Sequence, residues 1–96
     1  MGVLLSRRAW WRRPEPAGDE PRVVVYGRPG CHLCDVAEDV VAEVCRVAGV
    51  DWRARSIADD AELTARYGEL IPVVLVDGRQ HAIYRVDPQE LAAALG

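Results

Sequence analysis

From Arg22 onward the hydrophobic pattern alternates between strand and helix periods, with turn residues at each change. Arg22 to Gly27 carries the continuous run Val23-Val24-Val25, the mark of a strand buried on both faces. From about Cys31 to Ala48, Val36, Val40, Val44 and Val47 repeat at helical spacing, and Gly49 supplies a stop. Asp35, Glu38 and Asp39 fall in the early turns of that helix, where its dipole favours negative charge. Val50 to Ile57 alternates polar and apolar residues and predicts a second strand. Asp59 with Glu62 predicts a capping-box start for a short helix ending at Tyr67-Gly68. Val73 to Val76 reads as a third strand, Asp77-Gly78 as a two-residue hairpin turn, and Arg79 to Val86 as the returning strand. Asp87 as N-cap, Pro88 in the first turn and Glu90 three residues on predict a last helix, anchored by Leu91 and Leu95.

The order is βαβαββα, an α/β fold without internal repeats. Right-handed crossovers predict that the first three strands run parallel, and the hairpin makes the fourth antiparallel. The expected result is a four-stranded mixed sheet flanked by helices.

Residues 1–21 have a different character. Ser6 to Arg13 is basic and aromatic, and Pro14 to Pro21 is proline-rich and acidic. Pro14, Pro16, Gly18 and Pro21 would interrupt any helix leading into the domain, so a disordered extension is expected before a single domain at 22–96. The arginines follow only a few apolar residues, whereas a secretory signal has an apolar stretch of about 7–15. Gly2 with Ser6 matches the short myristoylation pattern, and the Arg/Trp segment is brief for a membrane-surface helix.

Composition narrows the function. Ninety-six residues, half of them hydrophobic, can build one modest core, and a formal charge of −3 offers no basic excess for a nucleic-acid partner. No apolar run approaches the roughly 20 residues of a membrane span. Three cysteines, an odd number with no secretory pattern, suit a reducing cytoplasm. There a C-x-x-C pair is catalytic or metal-binding more often than structural. Cys31 and Cys34 form such a pair where the first strand gives way to the first helix. Unpaired N–H groups at a helix start favour a thiolate, which is the nucleophile of disulfide exchange.

Tyr26, Pro29, Gly30, Cys31 and Cys34 compose a Tyr-x-x-Pro-Gly-Cys-x-x-Cys signature. With it, residues 22 to 95 resemble the small glutaredoxin-like proteins of the thioredoxin superfamily. Ile71-Pro72-Val73 is similar to the second mark of that family, a proline in cis opposite the active-site cysteines. The resemblance implies a thioredoxin-like fold and thiol–disulfide oxidoreductase activity. It further implies that Cys31 and Cys34 are catalytic, with Tyr26, Pro29, Ile71 and Pro72 around the substrate. Arg28 and His32, next to the cysteines in sequence, are expected to meet the substrate as well. A cis Pro72 would wall the site and leave the Ile71 backbone free to pair with an extended substrate. Two positions depart from the pattern. His32-Leu33 replaces the usual Pro-Tyr between the cysteines, and Ile83-Tyr84-Arg85-Val86-Asp87 stands where glutaredoxins carry paired glycines. Dependence on glutathione therefore does not come with the resemblance.

Cys31, ahead of the helix, is the expected nucleophile, and Cys34, about one turn along, the resolving thiol. Arg28 would add positive charge if it folded inward, and a protonated His32 would stabilise the thiolate. Asp35 would oppose a thiolate at Cys34. Cys45, three to four helical turns from Cys31, is too far to bond to it and reads as a buried core thiol. His81 is expected to face solvent or to have a satisfied partner. Arg85 reads as a surface residue, or as a carboxylate anchor for a small thiol.

Exchange needs no prosthetic group. The expected partners are a disulfide-containing protein or a low-molecular-weight thiol co-substrate, with a reductant system whose identity the residues do not give. Two other classes compete. Cys31 and Cys34, with His32, could supply part of a zinc or iron–sulfur site completed by a dimer or an external thiol. Alternatively, the domain is a redox-inactive thioredoxin-fold binding module.

Overall fold

The computed structural model describes residues 20–96, so nearly all of the predicted extension lies outside the described residues. The elements are β1 (Val23–Gly27), α1 (His32–Ala48), β2 (Trp52–Ser56), α2 (Ala61–Tyr67), β3 (Val73–Val76), β4 (Arg79–Ile83) and α3 (Pro88–Leu95). The sheet order is β2-β1-β3-β4. β1 therefore occupies an inner position, and its valines are buried as their continuous run predicts.

β1 and β2 are parallel, with Val23 opposite Trp52 and Gly27 opposite Ser56. β3, expected to be parallel to them, runs antiparallel to β1, with Val23 opposite Val76 and Tyr26 opposite Val73. β2 and β3 lie on opposite sides of β1 and run in opposite directions, so the connection through α2 brings the chain back to the end of the sheet where β2 finished. The right-handed crossover rule governs parallel strands and does not apply to this connection.

Asp77 and Gly78 have φ of 52° and 82°, the double positive φ of a type I′ hairpin turn, and they join β3 to β4 as the dipeptide predicts. β4 stops at Ile83 rather than Val86, because Tyr84 adopts φ 64° and turns the chain out of the sheet.

Helix caps locate the remaining boundaries. Cys31 is the N-cap of α1 rather than its first residue. α2 is capped by Asp60 rather than Asp59, and the Asp60 Oδ1 accepts from the Leu63 N–H at 2.9 Å. Asp87 caps α3 as expected, accepting from the N–H groups of Gln89 and Glu90.

One cluster fills the space between the sheet and α1 and α3. Val23 and Val25 of β1 meet Ala37, Val41, Val44 and Cys45 of α1, with Val86, Leu91 and Leu95 closing the far side. The buried face of α1 is thus Cys34, Ala37, Glu38, Val41, Val44 and Cys45. Val36 and Val47, which share the apolar repeat, are exposed. A second cluster, Cys34, Ile57, Ile71 and Val73, lies where β1 and β2 end.

Candidate active site

The turn that carries the cysteines is built by Arg28-Pro29-Gly30-Cys31. Proline presets its own φ, and Gly30 takes φ 82°, a value that costs an L-residue strain, as the third residue of a type II turn requires. The chain then enters α1 with Cys31 extended at φ −95° and ψ 112°. Its Sγ accepts from the Cys34 N–H at 3.2 Å. That N–H has no partner within the helix itself, so the sulfur takes the place usually filled by a capping Ser or Asp. A negative sulfur there is favoured by the hydrogen bond and by the positive end of a seventeen-residue helix.

Cys31 and Cys34 form a disulfide, with their Cα atoms 5.2 Å apart. The two sulfurs are not equivalent. Cys31 is half-buried, whereas Cys34 is fully buried in the second cluster. An incoming thiolate or disulfide therefore meets Cys31 first.

The β1–β3 register supplies the facing wall. Since Tyr26 pairs with Val73, the preceding residues Ile71 and Pro72 lie level with the turn that follows Gly27. The Ile71–Pro72 peptide is cis, and both residues are buried. Ile71 packs in the same cluster as Cys34, and Cys31 and Tyr26 pack against it. The fold thus gathers Cys31, Cys34, Tyr26, Ile71 and Pro72 at one end of the sheet. Arg28, Pro29 and His32 are exposed on the rim of that site, with Arg28 turned to solvent rather than folded inward.

Several neighbours were not legible in the sequence. Tyr67, at the end of α2, stacks on Tyr26 with ring centroids 5.2 Å apart. The Arg55 guanidinium lies 5.9 Å from the Tyr26 ring centroid and pairs with Glu20 at 2.7 Å. Burial raises the Tyr26 hydroxyl pKa, and the nearby Arg55 partly offsets that rise. Tyr84 is the most unexpected neighbour. Its backbone N–H donates to the Pro72 carbonyl at 2.9 Å and its hydroxyl to the Glu69 carbonyl at 3.0 Å. It brackets the Ile71–Pro72 segment from a left-handed conformation whose strain is of order 1–3 kcal/mol for a non-glycine residue. An aromatic residue at the place of paired glycines was the available signal.

Cys45 is buried and free, as expected, and burial pushes its thiol pKa up. His81 departs from expectation. It lies on β4, half-buried, and its Nε2 is enclosed without a hydrogen-bond partner among the described residues. Among the described residues, no three His, Cys, Asp or Glu side chains converge as a potential metal set.

The mixed sheet, the disulfide at a helix N-cap and the facing cis-proline define a thioredoxin-fold protein with a C-x-x-C site. Comparison with known proteins narrows this class. The family model for the Glutaredoxin-like domain (DUF836) matches residues 22–96, and the chain belongs to that family. An uncharacterised protein of Mycobacterium tuberculosis, Rv0508, is 33% identical over 78 residues, covering 76% of this chain and 80% of that protein. The X-ray structure of target protein XcR50 from X. campestris is similar at 32% identity and TM-score 0.65, covering 76% of this chain and 93% of that one. Protein Ne2328 from Nitrosomonas europaea is similar at 25% identity and TM-score 0.68, covering 86% of this chain and all of that one. Among the described residues, no helix is long and apolar enough to cross a membrane.

Proposed function

We propose that the protein is a thiol–disulfide oxidoreductase acting on protein or low-molecular-weight disulfides. The observation that carries this reading is the asymmetry of the pair. Cys31 is half-buried at the N-cap of α1 with its sulfur on the Cys34 N–H, while Cys34 is sealed beneath it.

In the reduced protein the Cys31 thiolate attacks one sulfur of a substrate disulfide. A mixed disulfide forms, and the first substrate sulfur leaves as a thiolate that takes up a proton. Cys34 then loses its proton and attacks Cys31, expelling the second substrate thiol. The substrate gains two electrons and two protons, and the protein is left with the Cys31–Cys34 disulfide. A thiol reductant returns both and closes the cycle, so exchange requires no prosthetic group. Tyr26, Ile71 and Pro72 form the wall against which the substrate lies, and Arg28, Pro29 and His32 form its outer rim. A reducing compartment such as the cytoplasm suits a cycle that must return to the dithiol.

Trapping tests the assignment of roles. Reduced Cys34→Ser, mixed with bis(2-hydroxyethyl) disulfide, should accumulate one stable adduct on Cys31 in a peptide mass map, and Cys31→Ser should accumulate none on Cys34. An adduct on residue 34 of the Cys31→Ser variant, with Cys31 unmodified in the other, would reverse the roles.

A further inference from the structure

Of the large hydrophobic side chains exposed among the described residues, Leu33, Val36 and Tyr84 stand together, 42%, 45% and 46% exposed. They line one groove of about 330 Å³ with Val40, Val86 and Arg85. Neither cysteine lines the groove, but Leu33 directly precedes Cys34 and the Tyr84 N–H is bonded to the Pro72 carbonyl, so each wall adjoins a residue of the cysteine site. Tyr84 forms its far wall, and the bonds to Pro72 and Glu69 fix that wall to the segment facing the sulfurs.

We propose that this groove seats an apolar side chain next to the cysteine of a polypeptide disulfide, with a neighbouring carboxylate meeting Arg85. The inference rests on the exchange reading above and names its substrate class. Three observations favour a polypeptide over a charged thiol such as glutathione. The lining is apolar apart from Arg85, and a charged tripeptide has no large apolar group to place there. The volume suits one or two side chains. Tyr84 fills the region where paired glycines would leave the backbone open, and it holds that place despite its left-handed φ. Tyr84 is thus a specificity-determining residue, with Leu33 and Val36 opposite.

The test uses two synthetic decapeptides, each closed by one disulfide and carrying Glu two residues after a cysteine. They differ only in having Leu or Ser directly after that cysteine. Stopped-flow reduction by the reduced full-length protein should favour the Leu peptide by about tenfold in second-order rate, the scale on which an apolar pocket discriminates. In Tyr84→Gly, which suits the left-handed backbone while removing the wall, the ratio should fall toward one. Leu33→Ser, at an exposed position, should lower the ratio without depending on how Tyr84→Gly folds. Equal rates for the two peptides in the wild type would overturn the groove and leave the exchange reading standing. Failure of the wild type to reduce either peptide or bis(2-hydroxyethyl) disulfide would overturn both.

Discussion

At the residue scale the site depends on a few backbone conformations. Gly30 has φ 82°, and a Cβ there would meet nothing within 4 Å. The cost of Gly30→Ala is therefore conformational rather than steric, about 1–2 kcal/mol for an L-residue in the left-handed region. Chemical denaturation should show that loss. Thiol reactivity of the reduced variant should fall as well, because the turn that places Cys31 at the N-cap must rearrange. An Ala variant of unchanged stability would show that the turn does not need glycine. Tyr84 is the opposite case, an aromatic residue kept where glycine would be easier. Hairpin pairing does not require it there, since β4 has already ended at Ile83.

At the element scale the sequence conveyed the type of each helix and strand better than their orientation. The valine repeat of α1 has the right period, but Ala37, Val41 and Cys45 occupy the inward arc, and Val36 lies off it. Periodicity alone does not choose between two apolar arcs when small residues mark the buried one. Val41→Ala should cost about 1–3 kcal/mol through the cavity it leaves, whereas Val36→Ala should stay within about 0.5 kcal/mol. Urea midpoints of the two variants compare them directly, and equal losses would contradict the assigned face.

The hairpin carries a second element-scale effect. Both nitrogens of an Arg22 fork reach Asp77, at 2.8 and 2.9 Å, tying the start of β1 to the β3–β4 turn. The hydrogen bond to Arg22 holds the Asp77 carboxyl below its ordinary value of 3.8. A carboxyl lowered in the folded state stabilises it fully above the ordinary value. That contribution disappears as pH falls through the lowered one. Asp77→Asn keeps a residue tolerant of the left-handed turn, so it should be less stable than wild type at neutral pH and indistinguishable in strong acid. A stability gap independent of pH would mean that the turn, not the ion pair, is the origin.

At the scale of the whole molecule, the two clusters divide the work. The larger one joins the sheet to α1 and α3, and the smaller one floors the cysteine site. The element order and the C-x-x-C pair were legible because each is written in contiguous residues, whereas Pro72 opposite the pair was legible only through the family resemblance of Ile71-Pro72-Val73. The direction of β3 was not, because the crossover rule presupposes parallel strands and a sixteen-residue connection permits either direction. The stacking of Tyr67 on Tyr26 joins residues about forty positions apart, and no local pattern encodes that pairing. Cys45 belongs to the larger cluster, buried and with a raised pKa. The oxidised native protein should therefore present no thiol to a chromogenic disulfide reagent among residues 20–96 until it unfolds, when one should appear. Rapid reaction of the native protein would contradict the packing of α1.

The account turns on Cys31 being an activated nucleophile. The most direct measurement is the pH dependence of iodoacetamide alkylation in the reduced protein, followed at Cys31 by mass spectrometry, with Cys34→Ser and Cys31→Ser as controls. The N-cap position predicts a midpoint well below the free-cysteine value of about 8.5, retained in Cys34→Ser and lost with Cys31. A midpoint at or above that value would contradict the exchange mechanism, whatever the fold.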